Sequence, residues 1–297
     1  MRILLFTSQM NFVNYAQAFR SLNHQFTIVT LITKRERHRY EMTLSRFGGA
    51  ASNVVYSPIY LRASNDRLAS LLNPINLVHD FGKIFTTIRA WRPEAVIGMF
   101  VIHAYPLVVL KRILKFSLFA LVSGSDLTFH NGLVWRLVRR AVFRNSLAVF
   151  TVAKRFNPQI ERESGCTPIV IPTGTNPDYY TPLPNNVDLR GKYNFEVSDF
   201  IILSLSSLIE LKRIDDVIRA VRIIKSEHPQ TKMIIAGDGP EKAKLMKLCA
   251  DVGVECVFTG FVGEAEKREL YNIADVYVLA SRSEGMPFSV IEAMACG

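Results

Sequence analysis

The chain has 297 residues and is 49% hydrophobic, which is long and apolar enough for two domains that each bury a core. This composition excludes a disordered or fibrous protein. A long apolar stretch without a charged residue, 95–110, is interrupted by Gly98, His103 and Pro106 and is too short for a membrane span. The apolar run 3–6 is too short for a signal-peptide core, so we expect a cytoplasmic protein.

The four cysteines show no paired Cys-x-x-Cys spacing, which excludes a typical zinc site or disulfide framework and indicates reduced thiols in the core. The net charge of +10 is unevenly distributed. Residues 1–181 carry 22 Lys and Arg against 9 Asp and Glu, whereas residues 182–297 carry 14 against 17. The first half is therefore expected to face an anionic surface.

A basic segment in this half, 135–144, places Arg136, Arg139, Arg140 and Arg144 at helical spacing, opposite Leu137, Val138 and Val142. Such a helix could lie on the anionic headgroups of a membrane, which makes peripheral membrane association one interpretation. The alternative is an ordinary solvated face of a helix. A second basic cluster, 34–39, adds to the positive charge of the same half.

Apolar strands alternate with amphipathic segments along the first half of the chain. Strands are predicted at 2–6, 26–32, 95–99, 117–122, 147–152 and 168–171, and helices at 13–22, 76–90, 104–114, 132–144 and 154–164. Residues 34–74 are less regular. The proline-rich stretch 172–186 indicates a hinge, so the domain boundary is predicted between Thr181 and Pro182.

The alternation restarts in the second half. Strands are predicted at 200–206, 232–236, 256–258 and 276–280. Helices are predicted after Arg213, at 264–273 and from Pro287, and Pro240 is expected at the first position of another helix. This pattern is typical of α/β proteins with parallel sheets covered by helices. The turn Gly237–Asp238–Gly239 is either a tight strand-to-helix connection or a direct ligand contact.

The most specific motif runs from Ser283 to Gly297 and carries Glu284 and Glu292. Glu284 follows a strand, where open parallel sheets bind ligands. Gly285 allows close approach of backbone, and the free amides near the start of the next helix can hold a phosphate. Glu292, deeper in that helix, can accept hydrogen bonds from paired hydroxyls. The alternative is an ordinary solvated glutamate on a helix.

This run resembles the Glu-x7-Glu signature of the family 4 retaining glycosyltransferases of the GT-B fold. The similarity extends through the second half in Lys212 and in the segments 236–241, 258–262 and 274–279, and it is partial in 123–126 and 171–176 of the first half. The resemblance implies two Rossmann-like domains that face a central cleft. Residues 1–181 would form the acceptor side and 182–297 the donor side, which we expect to be incomplete because Gly297 falls inside the motif.

By resemblance, the activity would be metal-independent hexosyl transfer from a nucleoside-diphosphate sugar to a hydroxyl of a lipid-linked or polysaccharide acceptor, with retention and without a cofactor. Glu284 and Lys212 would be catalytic, on the sugar hydroxyls and the pyrophosphate. Glu292 would bind the ribose and 260–262 the base. The full set of donor contacts would add Arg213, Gly285, Met286, Pro287, Phe288, Ser289, Gly260, Phe261 and Val262. Arg213 would partly replace the arginine that the family carries where Ser207 stands.

Two residues of the first half, His103 and Asp126, are candidates for the acceptor side. The alternative for His103 is a packed or capping side chain. Ser207 and Ser123 stand where the family has an arginine and a histidine, which leaves a catalytically silent nucleotide-sugar-binding or lipid-binding subunit as an alternative. A sugar-nucleotide epimerase of the same fold is another. Nucleic-acid binding is favoured only by the pI near 9.5, without a supporting motif, so no nucleic-acid partner is expected.

Overall fold

The computed structural model describes residues 2–7, 25–32, 54–60, 74–99, 101–128, 132–184 and 186–297. The chain divides into two compact units, Met1–Pro172 and Thr173–Gly297. The predicted helix 13–22 and the basic cluster 34–39 lie outside the described residues.

The first unit is built on a parallel sheet. Its strands are β1 Arg2–Thr7, β2 Gln25–Ile32, β3 Val54–Tyr60, β4 Ala95–Met99, β5 Ser117–Val122, β6 Ala148–Thr151 and β7 Ile169–Val170. They pair in the order β3-β2-β1-β4-β5-β6-β7. The described helices are α1 Pro74–Trp91, α2 Val101–Leu114, α3 Gly124–Thr128, α4 Leu133–Asn145 and α5 Asn157–Ser164, with a 3₁₀ turn at Lys154–Phe156.

Helix α2 covers the centre of this sheet. Leu107 and Leu110 of the helix join Val96 of β4 and Leu118 of β5 in one buried cluster. A Cβ atom on Gly98 would lie 2.7 Å from the Cβ of Ala104, so only glycine lets the helix approach the strand this closely. The core of the first unit therefore depends on a small residue where β4 leads into α2.

The second unit contains a second parallel sheet. Its strands are β8 Phe200–Leu205, β9 Thr231–Ala236, β10 Cys256–Gly260 and β11 Val276–Tyr277, in the order β10-β9-β8-β11. Its helices are α6 Asn186–Lys192, α7 Ile214–Glu227, α8 Lys242–Val252, α9 Glu264–Ile273 and α10 Phe288–Ala295, with a 3₁₀ turn at Glu210–Lys212.

Both faces of this second sheet are buried. Ile201 and Leu203 of β8 pack in a cluster with Leu270 of α9. The alternate residue, Ile202, packs in a different cluster with Val217 of α7 and with α8. Successive side chains of a strand point to opposite faces, so the continuous apolar run of β8 is the sequence that a strand covered on both sides requires.

The structure differs from the sequence-based prediction at several places. Strand β3 lies in the stretch 34–74, for which no element was predicted, and helix α6 begins at the end of the predicted hinge. Pro240 does not open helix α8, which begins two residues later at Lys242. The predicted boundary after Thr181 falls within the second unit, because Tyr180 is buried in that unit's core.

Helix α4 also presents a different face from the predicted one. Arg139 is buried and its guanidinium forms an ion pair with Glu163 of α5 at 2.5 Å, whereas Leu137 is exposed. Arg139 also donates to the backbone carbonyl of Asp126 at 3.2 Å. Placing Arg139 on the exposed basic face was therefore wrong. Arg136, Arg140 and Arg144 are exposed, as predicted.

The loops that follow β8 and β9 pack directly against each other. The Leu208 N–H donates to the carbonyl of Asp238 at 3.0 Å, and the Glu241 N–H donates to the carbonyl of Leu208 at 3.0 Å. Gly237 has φ of +135°, and a Cβ there would lie 1.9 Å from the carbonyl oxygen of Ser206. The turn is thus needed for close packing of backbone against backbone.

Replacing Gly237 with alanine is expected to destabilise the second unit by about 2 kcal/mol or more, because a strained φ combines with a clash against fixed backbone. Gly253 is the matched control: it also has positive φ, +69°, but a Cβ there meets nothing within 4 Å. Gly253→Ala should cost only about 1 kcal/mol from the left-handed conformation. Urea unfolding of both variants measures this difference, and equal losses would contradict the packing argument.

Candidate functional site

The second sheet reverses its direction of growth at β8. The chain proceeds from β8 to β9 and β10 on one side, and β11 then pairs with β8 on the other side. In open parallel sheets, ligands bind beyond the carboxyl ends of the strands at such a switch point. The loops that leave β8 and β11 carry Lys212 and Glu284, so the topology brings the two predicted catalytic residues to one place.

Lys212 and Glu284 form an ion pair with 2.5 Å between Nζ and Oε1, and both side chains are only partly exposed. Lys212 belongs to the 3₁₀ turn after β8. The Arg282 N–H donates to the carbonyl of Leu211 at 3.0 Å, which joins the loop after β11 to that turn. The contact between the two side chains is therefore supported by backbone pairing of the segments that carry them.

The start of helix α10 lies next to Glu284 in the chain. Gly285 and Met286 form the bend before it, and Pro287 is its N-cap, a residue with no side-chain hydrogen-bonding group. The first amides of a helix have no partner within the helix, so those from Phe288 onward are available to an anion. The Tyr277 hydroxyl, from the strand before this loop, donates to the carbonyl of Leu205 at 3.0 Å. Burial, the largest cause, raises the pKa of Tyr277 to about 12.

Glu292 is enclosed, with 2% of its surface exposed. Its Oε2 accepts a hydrogen bond from the Tyr271 hydroxyl at 3.0 Å, and its carboxylate forms an ion pair with Lys267 at 3.0 Å. Both partners come from α9, so Glu292 joins α10 to α9. Its predicted contact with a ribose stays a prediction, and in this structure its carboxylate is bound by groups of the protein.

Lys267 connects this carboxylate to a second one. Its Nζ lies 3.0 Å from Oε1 of Glu264 and 5.3 Å from the ring centre of Tyr180. Tyr180 in turn donates its hydroxyl to Glu264 at 2.5 Å. Burial, and then the neighbouring carboxylates, raise the pKa values of Tyr180 and Tyr271, which keeps both phenols protonated as donors.

Sequence reasoning missed this network of Tyr180, Glu264, Lys267 and Tyr271. Three of these residues could have been grouped from the sequence: Glu264, Lys267 and Tyr271 are spaced three and four residues apart, which places them on one face of a helix. Tyr180 carried no such signal, because it stands in a stretch that was assigned to the hinge.

The predicted base-binding segment, 260–262, begins with the last residue of β10. Gly260 has φ of +73°, and its carbonyl accepts a hydrogen bond from the Gly237 N–H at 2.7 Å. Phe261 is 56% exposed, whereas Val262 is buried in the core beside α9. Of the three residues, Phe261 is the one whose side chain is open to a ligand.

Arg213, the neighbour of Lys212, is paired with two aspartates that follow it in the chain. It adopts a left-handed conformation with φ of +50°, and its guanidinium lies 2.6 Å from Asp216 and 3.4 Å from Asp215. These aspartates belong to the first turn of α7, so the guanidinium of Arg213 is held by acidic residues of the helix that follows it. Its predicted role as a substitute for the missing arginine stays a prediction.

In the first unit, Asp126 is buried and holds two elements together. Its Oδ1 accepts from the Val101 N–H at 3.1 Å, which satisfies the first amide of α2, and its Oδ2 accepts from the Ser123 N–H at 2.9 Å. Burial raises the pKa of Asp126 to about 6, although these hydrogen bonds oppose the shift. His103 belongs to α2, and its side chain lies outside the described residues. The acceptor-side roles of both residues stay predictions.

Within the described part of the chain, no group of three or more His, Cys, Asp and Glu side chains could hold a metal ion. In the same residues, no helix is both long and apolar enough to cross a membrane. The metal independence of the predicted reaction stays a prediction.

The second unit matches a known family. Residues 186–297 match the family described as "Glycosyl transferases group 1". Two curated proteins that are similar to this segment are N-acetyl-alpha-D-glucosaminyl L-malate synthase of Bacillus anthracis and alpha-monoglucosyldiacylglycerol synthase of Streptococcus pneumoniae. The first is 31% identical over 37% of this chain and 28% of its own length, and the second is 30% identical over 38% and 26%. The chain thus spans less than a third of the length of either relative.

Solved structures extend the comparison to the whole fold. The Anabaena protein Alr3699/HepE, in complex with UDP and glucose, aligns with 100% of this chain and 78% of its own, with a TM-score of 0.78 and 15% identity. Sucrose-phosphate synthase from Thermosynechococcus elongatus aligns with 100% and 79%, with a TM-score of 0.74 and 17% identity. The predicted α/β fold of the GT-B type, with two Rossmann-like parallel-sheet units, is confirmed.

The raised pKa of Asp126 predicts a pH dependence of stability. A carboxyl group that binds its proton more tightly in the folded state stabilises fully below its unfolded pKa of 3.8, and this contribution is lost as the pH rises through about 6. Asp126→Asn should therefore flatten the fall in melting temperature between these pH values. Glu161→Gln, at an exposed position of the same unit, is the control and should leave the slope unchanged. Identical slopes in the wild type and Asp126→Asn would contradict the prediction.

Proposed function

We propose that this protein transfers a hexose from a nucleoside-diphosphate sugar to a hydroxyl group of an acceptor, with retention of the anomeric configuration and without a metal ion. The observation that carries the proposal is the Lys212–Glu284 ion pair at the switch point of the second sheet, beside the N-terminus of α10. A cation, a carboxylate and free helix amides are the three kinds of group that a diphosphate-linked sugar requires at one place.

The chemistry assigns a task to each group. The bond between the anomeric carbon and the diphosphate oxygen breaks, and negative charge accumulates on the leaving diphosphate. The ammonium of Lys212 and the amides at the start of α10 stabilise that charge without further reorganisation. The sugar carbon passes through an oxocarbenium-like state, as in glycoside hydrolysis, before the acceptor oxygen binds to it and the acceptor proton is released.

Lys212 and Glu284 neutralise each other in this structure. A nucleoside-diphosphate sugar offers each of them a new partner, since the diphosphate accepts hydrogen bonds from Lys212 and the sugar hydroxyls donate to Glu284. Binding therefore exchanges one ion pair for two charge-assisted contacts, and only a ligand with both a phosphate and hydroxyl groups satisfies both residues.

The comparisons suggest which donor to test first. The structural neighbour from Anabaena is described in complexes with UDP and with UDP-glucose, which makes uridine diphosphate the first choice of nucleotide. The names of two relatives from Streptococcus pneumoniae contain glucosyldiacylglycerol, which supports lipid-linked acceptors over free sugars as the first acceptors to test.

An anionic membrane surface is the proposed location of a lipid acceptor. On helix α4, Leu133, Val134 and Leu137 are 74%, 69% and 57% exposed, beside the exposed Arg136 and Arg140. The adjacent helix α2 contributes exposed Ile113 and Arg112. Apolar side chains that insert among acyl chains, flanked by cations that pair with headgroup phosphates, are typical of helices that lie on membranes.

Lys212→Ala is expected to weaken binding of uridine diphosphate at least about tenfold, because a charge-assisted hydrogen bond contributes about 1.5 to 3 kcal/mol. Arg213→Ala should lose less affinity, since that guanidinium is held by Asp215 and Asp216. Glu284→Gln should bind uridine diphosphate as well as the wild type or better, yet bind uridine-diphosphate glucose more weakly. Calorimetric titration measures all three variants. Unchanged affinity in Lys212→Ala would remove the phosphate role.

For the membrane surface, we expect binding to vesicles of equal parts phosphatidylglycerol and phosphatidylcholine to exceed binding to pure phosphatidylcholine and to fall with salt. Replacing Arg136, Arg140 and Arg144 with glutamate should weaken binding to the anionic vesicles about a hundredfold or more, because each basic residue contributes about 1 kcal/mol to that binding. The control reverses Arg219, Arg222 and Lys247, exposed cations of the second unit, with the same change in net charge. Equal losses in the two triple variants would contradict a specific surface.

A further inference from the structure

Two of the four cysteines lie side by side in the second unit. The Sγ atoms of Cys249 and Cys256 are 2.8 Å apart, and both thiols are free. Cys249 belongs to the last turns of α8, and Cys256 is the first residue of β10. The expectation that all four cysteines lie in the core is wrong for Cys166, which is exposed, and it did not anticipate that two of the others would be in contact.

The backbone holds this arrangement on both sides. The Val254 N–H donates to the carbonyl of Cys249 at 3.0 Å, and Gly253, with φ of +69°, turns the chain from the helix towards the strand. Cys256 is fixed by the parallel pairing of β10 with β9, where it stands opposite Met233. The two sulfurs therefore face each other because of regular structure that precedes and follows them.

The two thiols differ in their access to solvent. Cys249 is buried in the cluster formed with Leu245 and Val254, whereas Cys256 is half-buried at the edge of that cluster. A small reagent can reach Cys256, and the buried neighbour is within reach of any sulfur bound there. This is the arrangement of an attacking thiol with a resolving thiol next to it.

We propose that Cys249 and Cys256 form a reversible disulfide by exchange with a low-molecular-weight disulfide such as glutathione disulfide. The pair of thiols loses one proton, and the accessible sulfur of Cys256 attacks one sulfur of the reagent while Cys249 holds the remaining proton, which forms a mixed disulfide and releases one thiolate. The thiolate of Cys249 then attacks the sulfur of Cys256, and the second reagent thiolate leaves. The protein loses two hydrogens, and the reagent disulfide is reduced to two thiols.

Closing the bond requires little movement. A disulfide has about 2.05 Å between its sulfurs, so the two atoms need to approach by about 0.8 Å, within the reach of side-chain rotation. The bond would join the end of α8 to the start of β10, and this strand leads directly to Gly260 and the exposed Phe261. The site is thus placed to respond to the thiol–disulfide balance of its surroundings.

The sequence offers a direct measurement. No lysine or arginine stands between Lys247 and Lys267, so trypsin releases residues 248–267 as one peptide that contains both cysteines. After incubation of the full chain with excess glutathione disulfide, this peptide is expected to be lighter by two hydrogens and to resist alkylation. Dithiothreitol should restore both changes. The exposed Cys166 serves as the internal control, because it should carry a glutathione adduct in the same sample.

Two comparisons make the result decisive. Cys249→Ser should retain glutathione on Cys256, because the thiol that would displace it is missing. Cys256→Ser should leave Cys249 largely unreacted, because the accessible thiol is missing. In glutathione redox buffers, the folded chain should form the internal disulfide at least about tenfold more readily than the chain in urea, since the fold holds the sulfurs together. Two alkylatable cysteines in peptide 248–267, in a sample where Cys166 is fully modified, would overturn the proposal, as would equal oxidation in urea.

Discussion

Strand β8 is paired along both edges and covered on both faces, and this constraint determines where the second unit can bind anything. β9 and β11 take its backbone hydrogen bonds, while α7 and α9 cover its side chains. Only the ends of such a strand reach solvent, and the carboxyl end is where the sheet reverses its growth. The ion pair of Lys212 with Glu284, the start of α10 and the glycine turn after β9 all lie at that end, because each follows a strand of the same parallel sheet.

The two glutamates of the carboxyl-terminal motif have different surroundings, although they are only eight positions apart in the sequence. Glu284 stands in a loop and shares a partly open position with Lys212, so its partner can change. Glu292 stands inside α10 and is held by Tyr271 and Lys267 in a buried network. A charge with fixed internal partners orients the helix that carries it, and a charge with one exchangeable partner is suited to bind a ligand.

The sequence predicted the strands and most helices of the second unit and placed Lys212 and Glu284 in loops that follow strands, because strand periodicity and the motif are local signals. The ion pair between them was not predicted; it follows from the parallel sheet, which collects strand ends at one edge. β3 was missed since Pro58 lies within it, and proline in an apolar run counts against a strand. The structure places β3 at the edge of its sheet, where a missing amide is tolerated. The contact between Tyr180 and Glu264 joins distant parts of the chain, and no periodicity encodes it.

The buried pair of Arg139 and Glu163 has a consequence for how this protein can change over evolutionary time. Loss of Glu163 alone would deprive the buried guanidinium of Arg139 of its ion-pair partner, at a cost of about 3 to 5 kcal/mol, which is a large part of a domain's stability. Substitution of Glu163 is therefore strongly disfavoured as long as Arg139 is present. As long as the pair persists, the rotation of α4 about its axis is inherited with it, and so is the set of side chains that the helix turns towards solvent.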